Sequence, residues 1–242
     1  FQMDVTTKAV ALKATDYREN DKLMCLYSFE QGKISVHAKG VRKGGAKLKF
    51  ACDQFCFGQY ELAQNGTRFT LKTCEQLHSF YELREDVFAY FAACVIAECI
   101  VNYTEEGEAD AGVFVTLLKA LEQLLGGVNA LLITLKFILE FLKLEGFSLD
   151  FSKCSVCGAS NVPLFLDSQR GGVVCDGCRS ADSVRVDSAV VSLCKMVESL
   201  PMEKIKNLNV ADSLSKQALQ VCGRYIAHSF SPLKSLSELL KL

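Results

Sequence analysis

The stretch KCSVCGASNVPLFLDSQRGGVVCDGCR, Lys153 to Arg179, carries two Cys-x-x-Cys pairs, Cys154 with Cys157 and Cys175 with Cys178, seventeen residues apart. Each pair can bring two thiolates to one side of a tight loop, and two pairs can close a tetrahedron of sulfurs around zinc at about 2.3 Å per bond. Gly158, just after the first pair, and Gly177, inside the second, suit the backbone that such knuckles need. Between them PLFLDSQRGGVVC reads as a short hairpin turning near Arg170 to Gly172. This is a zinc-ribbon pattern, with an iron centre or a redox dithiol as the other readings of the spacing. Four protein ligands leave no open coordination position, so one structural zinc per chain would hold a fold without activating water.

On both sides of this segment the chain reads as helical. Asp86 to Tyr103, Ala111 to Leu125 and Ala130 to Leu144 precede it, the third with a narrow polar stripe of Lys136, Glu140 and Lys143 and a stop at Gly146. Ser188 to Leu200, Ala211 to His228 and Ser235 to Leu242 follow it, with Pro201 and Pro232 as breaks. The cysteine segment therefore reads as an insertion in a helical domain.

The first eighty residues have a different period. KAVALKAT, KLMCLYSF, KISVHAK, DQFCFGQYEL and TRFTLKTCE are short runs rich in β-branched and aromatic residues, divided by the turn signals DYREND, EQG, GVRKGGAK and AQNG. Five strands in this length fit a small barrel of the oligonucleotide-binding type, and an SH3-like barrel fits the count almost as well. The fold class expected is α+β: a five-stranded barrel over 1–80, a helical domain over 81–150 and 184–242, and a zinc-binding insertion over 151–183.

Composition narrows the function. Half of the 242 residues are hydrophobic and the net charge is −1, but residues 31–52 hold six basic side chains and no acid. Twelve cysteines without a secretory n-region, apolar stretch and cleavage site read as a reducing, cytoplasmic compartment. The Phe1 start reads as trimmed or tagged. The run Gln123 to Leu135 is too short to span a membrane. Cys25, Cys52, Cys56, Cys74, Cys94, Cys99, Cys194 and Cys222 sit among apolar residues and read as small core hydrophobes, while His37, His78 and His228 have no sequence-local partner.

The basic stretch KISVHAKGVRKGGAKLKF presents Lys33, Lys39, Arg42, Lys43, Lys47 and Lys49, with Phe50, Phe55 and Phe57 close behind. Cations along a groove bind a nucleic-acid backbone and aromatic faces stack bases. A solvated basic loop is the plainer reading, and the alternation of Phe55 and Phe57 assigns both to a barrel interior. Gly40 and Gly45 have the spacing of a phosphate-binding loop, but Ala46, Lys47 and Leu48 replace its lysine and hydroxyl residue, which argues against ATP or GTP binding. Glu105 and Glu106 read as a solvated connection and not as an acid/base pair. No nucleophile–base pair, open metal site or cofactor loop is visible, so an enzyme is not expected.

Taken together, GKISVHAKGVRKGGAKLKF, LLKALEQLL, FILEFLKLEGFSLDFSKCSVCG and GGVVCDGC resemble the bacterial RecO recombination mediators, from about Lys8 to Arg179. The resemblance implies an oligonucleotide-binding barrel, a helical domain and an inserted zinc module in a protein of the bacterial nucleoid that acts in DNA repair and recombination after damage. It implies binding of single- and double-stranded DNA, annealing of complementary strands, contact with the RecR partner and the acidic, phenylalanine-ended tail of single-strand-binding protein, and help in loading RecA. It makes Lys39, Arg42 and Lys43 phosphate contacts; Lys33, Lys47 and Lys49 are added by local charge alone. A hydrophobic groove flanked by Lys or Arg on the helical domain would suit the acidic tail. The competing expectation is a zinc-ribbon protein–protein adaptor that captures a partner without binding DNA.

Overall fold

A computed structural model describes residues 2–242. Five strands, β1 (Gln2–Tyr17), β2 (Asp21–Ser28), β3 (Gly32–Ala38), β4 (Phe57–Asn65) and β5 (Arg68–His78), close into a barrel in the order β1-β2-β3-β5-β4. All neighbours are antiparallel except β3 and β5, which meet in parallel at Val36–Phe69 and His37–Thr70. The strand count and the closure are those of the small barrel that the sequence leads one to expect. β1 serves two neighbours: its first part pairs with β4 and its second with β2, and a bulge between Ala11 and Lys13 marks the change. There the β1 backbone also bonds the chain entering β4, Ala11 N–H to the Cys56 carbonyl at 2.9 Å and Phe55 N–H to the Ala11 carbonyl at 2.7 Å.

Inward-facing residues alternate along each strand, as a pleated sheet requires. Met24, Leu26, Ile34, Val36, Tyr60, Leu62, Phe69 and Leu71 make the interior, joined by Val41, Ala51, Cys52 and Cys56 from the β3–β4 connection. Two expectations fail here. Asp53 to Cys56 is not strand but a turn, with Phe55 at φ 72°. Neither Phe55 nor Phe57 belongs to the interior cluster: Phe55 is fully buried elsewhere, and Phe57 is half-buried with its ring 6.3 Å from that of Phe114. The turn inverts the alternation, so Cys56 takes the inward position.

Six helices follow: α1 (Val87–Tyr103), α2 (Ala111–Leu125), α3 (Ala130–Leu144), α4 (Ser188–Ser199), α5 (Asp212–Ser229) and α6 (Lys234–Leu239). The starts of α1 to α4 carry side-chain caps: Asp86 accepts from Phe88 and Ala89 N–H, Asp110 from Val113, Asn129 from Leu132 and Asp187 from Ala189. Between α3 and α4 lies a small sheet of β6 (Leu164–Asp167), β7 (Gly172–Cys175) and β8 (Val184–Arg185), ordered β7-β6-β8. The β6–β7 hairpin turns where the sequence places it.

The chain divides into two compact units, one taking the residues up to Glu85 with Ala97–Val115, the other Asp86–Ile96 with Thr116–Leu242. In the first, the acidic connection is not simply solvated. Glu106 bridges to Lys33, its carboxylate accepts the Ser35 N–H at 3.2 Å, and Gly107 N–H bonds the Lys33 carbonyl at 2.8 Å, which covers the part of β3 that β5 does not reach. In the second, α3 is buried almost all round. Its expected polar stripe is interrupted, because Lys136 is only 6% exposed and holds Glu140 and the Glu198 carbonyl, each at 3.3 Å. Among the described residues no helix is long and apolar enough to cross a membrane.

Candidate metal centre and nucleic-acid interface

The β6–β7 hairpin brings the two cysteine pairs together. The Sγ atoms of Cys154, Cys157, Cys175 and Cys178 all lie within 4.8 Å of one another, and Cys157 and Cys175 are 3.7 Å apart. A disulfide would need about 2.05 Å, whereas a tetrahedron with bonds of about 2.3 Å has edges of about 3.8 Å. The four thiols thus have the spacing of a four-sulfur metal cage.

Local backbone chemistry explains the shape. Gly158, at φ +74°, turns the first knuckle and returns its N–H to the Cys154 carbonyl at 2.9 Å. The second knuckle is a short 3-10 helix, Asp176–Cys178, and Gly177 has no positive φ there, so it is not needed for its conformation as the sequence suggests. Burial would raise the Cys154 thiol, but the N–H groups of Cys157, Cys175 and Val156 outweigh it and hold it down at about 6. The neighbouring thiols of Cys157 and Cys175 push Cys178 up to about 12. Four thiols this close cannot all ionise alone, and a bound cation would remove the conflict. The donor set therefore fits a thiophilic ion.

Asp167, in β6, was not singled out by the sequence. It is 1% exposed and accepts from Arg170 N–H at 3.0 Å, Ser180 N–H at 3.1 Å and the Ser183 hydroxyl at 2.7 Å. Burial alone would raise its carboxyl, yet these donors bring it down to about 2. One carboxylate so ties the hairpin turn to the chain leaving the second knuckle. Among the described residues none of the other eight cysteines is in a disulfide; Cys25 and Cys94 are half-buried and the remainder buried.

In the barrel, the β3–β4 connection holds the basic stretch. Apolar residues pin it: Val41, Ala51 and Cys52 enter the interior, and Leu48 and Phe50 pack against it. The Tyr60 hydroxyl, buried inside, donates to the Ala51 carbonyl at 2.9 Å and is within 3.3 Å of that of Cys56. Lys39, just before the first of these pins, and Lys43, Lys47 and Lys49, between them, are exposed, and none makes an ion pair among the described residues. Cations alternate with plugs, so fixing the loop leaves the charges outward.

Arg42 and Lys33 behave differently. The Arg42 guanidinium donates to the carbonyls of Arg18 at 3.2 Å and Glu19 at 3.1 Å and pairs with Asp16 at 3.1 Å, while its own N–H bonds the Asn20 carbonyl at 3.0 Å. It anchors the loop to the β1–β2 turn. Lys33 Nζ donates to the carbonyls of Val101, at 2.8 Å, and Thr104, at the C-terminal end of α1.

A second anchor is Asp21. One carboxylate oxygen accepts the Gly40 N–H at 2.8 Å and the other meets His37 Nε2 at 2.7 Å. The Gly40 N–H and then His37 hold its carboxyl below the usual range. Sequence reasoning gave His37 no local partner and did not single out Asp21, since sixteen positions separate the two. Only the β2–β3 register, with Lys22 opposite Ala38, could have revealed the pairing.

The helical unit also carries a groove of about 780 Å³. Phe151, Leu164 and Val191 give it an apolar lining, and Arg185 and Lys195 supply positive charge.

The family described as Recombination protein O N terminal matches residues 3–80, and that described as Recombination protein O C terminal matches residues 84–237. DNA repair protein RecO of Clostridium novyi is 30% identical over 227 residues, 93% of this chain and 89% of that protein. DNA repair protein RecO of Pelotomaculum thermopropionicum is 32% identical over 235 residues, 96% of this chain and 91% of that one. The second match reaches well beyond Arg179, where the resemblance read from motifs ended.

Proposed function

The chain belongs to the RecO family of DNA repair proteins, and from that premise we propose that it is a non-enzymatic recombination mediator whose barrel loop binds DNA. The observation that carries the reading is the group Lys39, Lys43, Lys47 and Lys49, exposed, without an ion pair among the described residues and carried on one connection of a barrel. Four cations held in place bind phosphates by releasing condensed counterions, which costs little reorganisation on the protein side.

Annealing follows from the same surface. Two complementary strands repel through their phosphates, and a basic face lowers that repulsion and raises their local concentration while the bases stay free to pair. No nucleotide hydrolysis is required. Both single- and double-stranded DNA meet the phosphate-binding requirement. Arg42 belongs to this site as an anchor, and Lys33, bound to helix carbonyls, lies outside it.

In the helical unit the four thiols would hold one zinc, which supplies no chemistry beyond closing the module. The groove of Phe151, Leu164, Val191, Arg185 and Lys195 suits an acidic peptide with an aromatic end, the character of the single-strand-binding protein tail. With RecR as partner, such a protein would help RecA onto strands coated by single-strand-binding protein.

The test is fluorescence anisotropy of a labelled single strand across salt concentrations. Binding with a log–log salt slope of roughly −2 to −3.5, as three to five neutralised phosphates give, and its loss in the combined Lys39→Glu, Lys43→Glu, Lys47→Glu variant, together with strand annealing in the absence of ATP, is the expected result. Absence of binding at low salt would overturn the reading in favour of a protein–protein adaptor.

A further inference from the structure

The β1–β2 turn beside the basic loop carries an aromatic–cation pair that phosphate binding does not use. Tyr17 is 36% exposed, and its hydroxyl has no hydrogen bond among the described residues. The Arg18 guanidinium lies over its ring, 5.1 Å from the centroid. His37 meets the ring edge-to-face, at 5.4 Å and 87°, and is itself held by Asp21 at 2.7 Å. The ring is therefore fixed in orientation before any ligand arrives.

The backbone here is unusual as well. Arg18 has φ +54°, a left-handed conformation that costs a non-glycine residue energy. Its carbonyl is taken by Arg42, and its side chain extends beside Tyr17 at the surface. The pair thus adjoins the loop at two points, through Arg42 to the basic residues and through His37 to the strand that ends next to Lys39.

We infer that Tyr17 is a nucleobase-stacking residue, seating a base of an unpaired strand whose phosphates lie on Lys39 and Lys43. This rests on the loop's being the DNA site. Every base presents a π-face, so such a platform ignores sequence and yet requires the base to be unstacked from a partner strand. The Arg18 guanidinium yields its place over the ring to the base, because base–aromatic stacking exceeds an exposed cation–π contact. Arg18 is then free to join the cations that hold phosphate. The consequence is a preference for single strands that phosphate contacts alone do not give.

The experiment compares an oligothymidylate with an abasic strand of equal length and charge. The chain has no tryptophan, so Tyr17→Trp introduces a single tryptophan whose emission reports on this position alone. Stacking predicts that the native protein binds oligothymidylate more tightly than the abasic strand. Tyr17→Ala lowers oligothymidylate affinity about ten-fold, or about 1.4 kcal/mol, and leaves abasic binding unchanged, whereas Tyr17→Phe keeps the preference. The emission of Tyr17→Trp is quenched by oligothymidylate and not by the abasic strand. Equal binding of both strands with unmoved tryptophan emission, or a Tyr17→Ala loss equal on both, overturns the stacking role and leaves the phosphate site standing. Failure to bind either strand removes the phosphate site and the inference with it.

Discussion

Asp21 and Gly40 are joined by a hydrogen bond of 2.8 Å across nineteen residues, the carboxylate at the start of β2 receiving the N–H of the first loop glycine. The same carboxylate fixes His37, so one acid sets where the basic loop leaves the barrel. Gly40 suits the position, since its φ of +68° would strain any side chain.

This gives a prediction whose sign separates two mechanisms. Asp21→Ala removes a negative charge from a basic surface, which by charge alone would tighten DNA binding. If the carboxylate instead positions the loop, affinity falls several-fold although net charge rises. Anisotropy at fixed salt decides, and tighter binding would refute the positioning role.

Lys33 and Lys43 differ in what their amines touch. Lys33→Gln takes a cation from the Val101 and Thr104 carbonyls and is expected to cost about 1 kcal/mol of stability with DNA affinity unchanged. Lys43→Gln is expected to do the reverse. Chemical denaturation beside anisotropy on the two variants tests the assignment.

For the cysteine cage, Cys154→Ser with Cys157→Ser should take bound zinc from one per chain to none, read by elemental mass spectrometry. DNA binding by the barrel loop should persist. Retention of one tightly bound zinc by this variant would defeat the ligand assignment.

Asp167 offers a pH test. Its carboxyl, near 3.9 when unfolded, lies at about 2 in the fold. A lowered value stabilises the fold above the unfolded value, and the contribution fades as pH falls through the folded one. Asp167→Asn should therefore destabilise the metal-loaded protein by about 2 kcal/mol, by the same amount throughout the neutral range. A difference that changes across neutral pH would place the titrating group elsewhere.

Two glycines in the barrel should respond unequally to alanine. A Cβ on Gly32 would stand 1.9 Å from the Glu108 carbonyl oxygen, with φ at +63°, whereas Gly45, at +77°, has nothing within 4 Å. Gly45→Ala meets only backbone strain, about 1 kcal/mol. Gly32→Ala must also displace the acidic connection, and its melting temperature should fall further.

Much of this was legible because periodicity is local. The expected bounds of α2 and α3 agree with the observed ones, and Cys-x-x-Cys spacing located the cage. What escaped reading depends on residues brought together by register or packing. Asp21 meets His37 only because β2 and β3 align as they do, and Asp167 gathers donors from positions up to sixteen residues away. Lys136 looked like surface by its charge, yet it lies within α3's buried circumference and bonds α4. Phe55 shows a different error: alternation was extrapolated through a turn that a single positive φ interrupts, so the ring is buried outside the barrel cluster.

The division of β1 between two partners bears on how the barrel assembles. Its second half can zip onto β2 through a short turn, a local event, whereas its first half must find β4, with Met3 opposite Gln64. Contacts so distant along the chain are slow to form. During synthesis the first half of β1 consequently waits as an open edge until β4 has emerged, and that interval is when a nascent chain of this protein is most exposed to pairing with another.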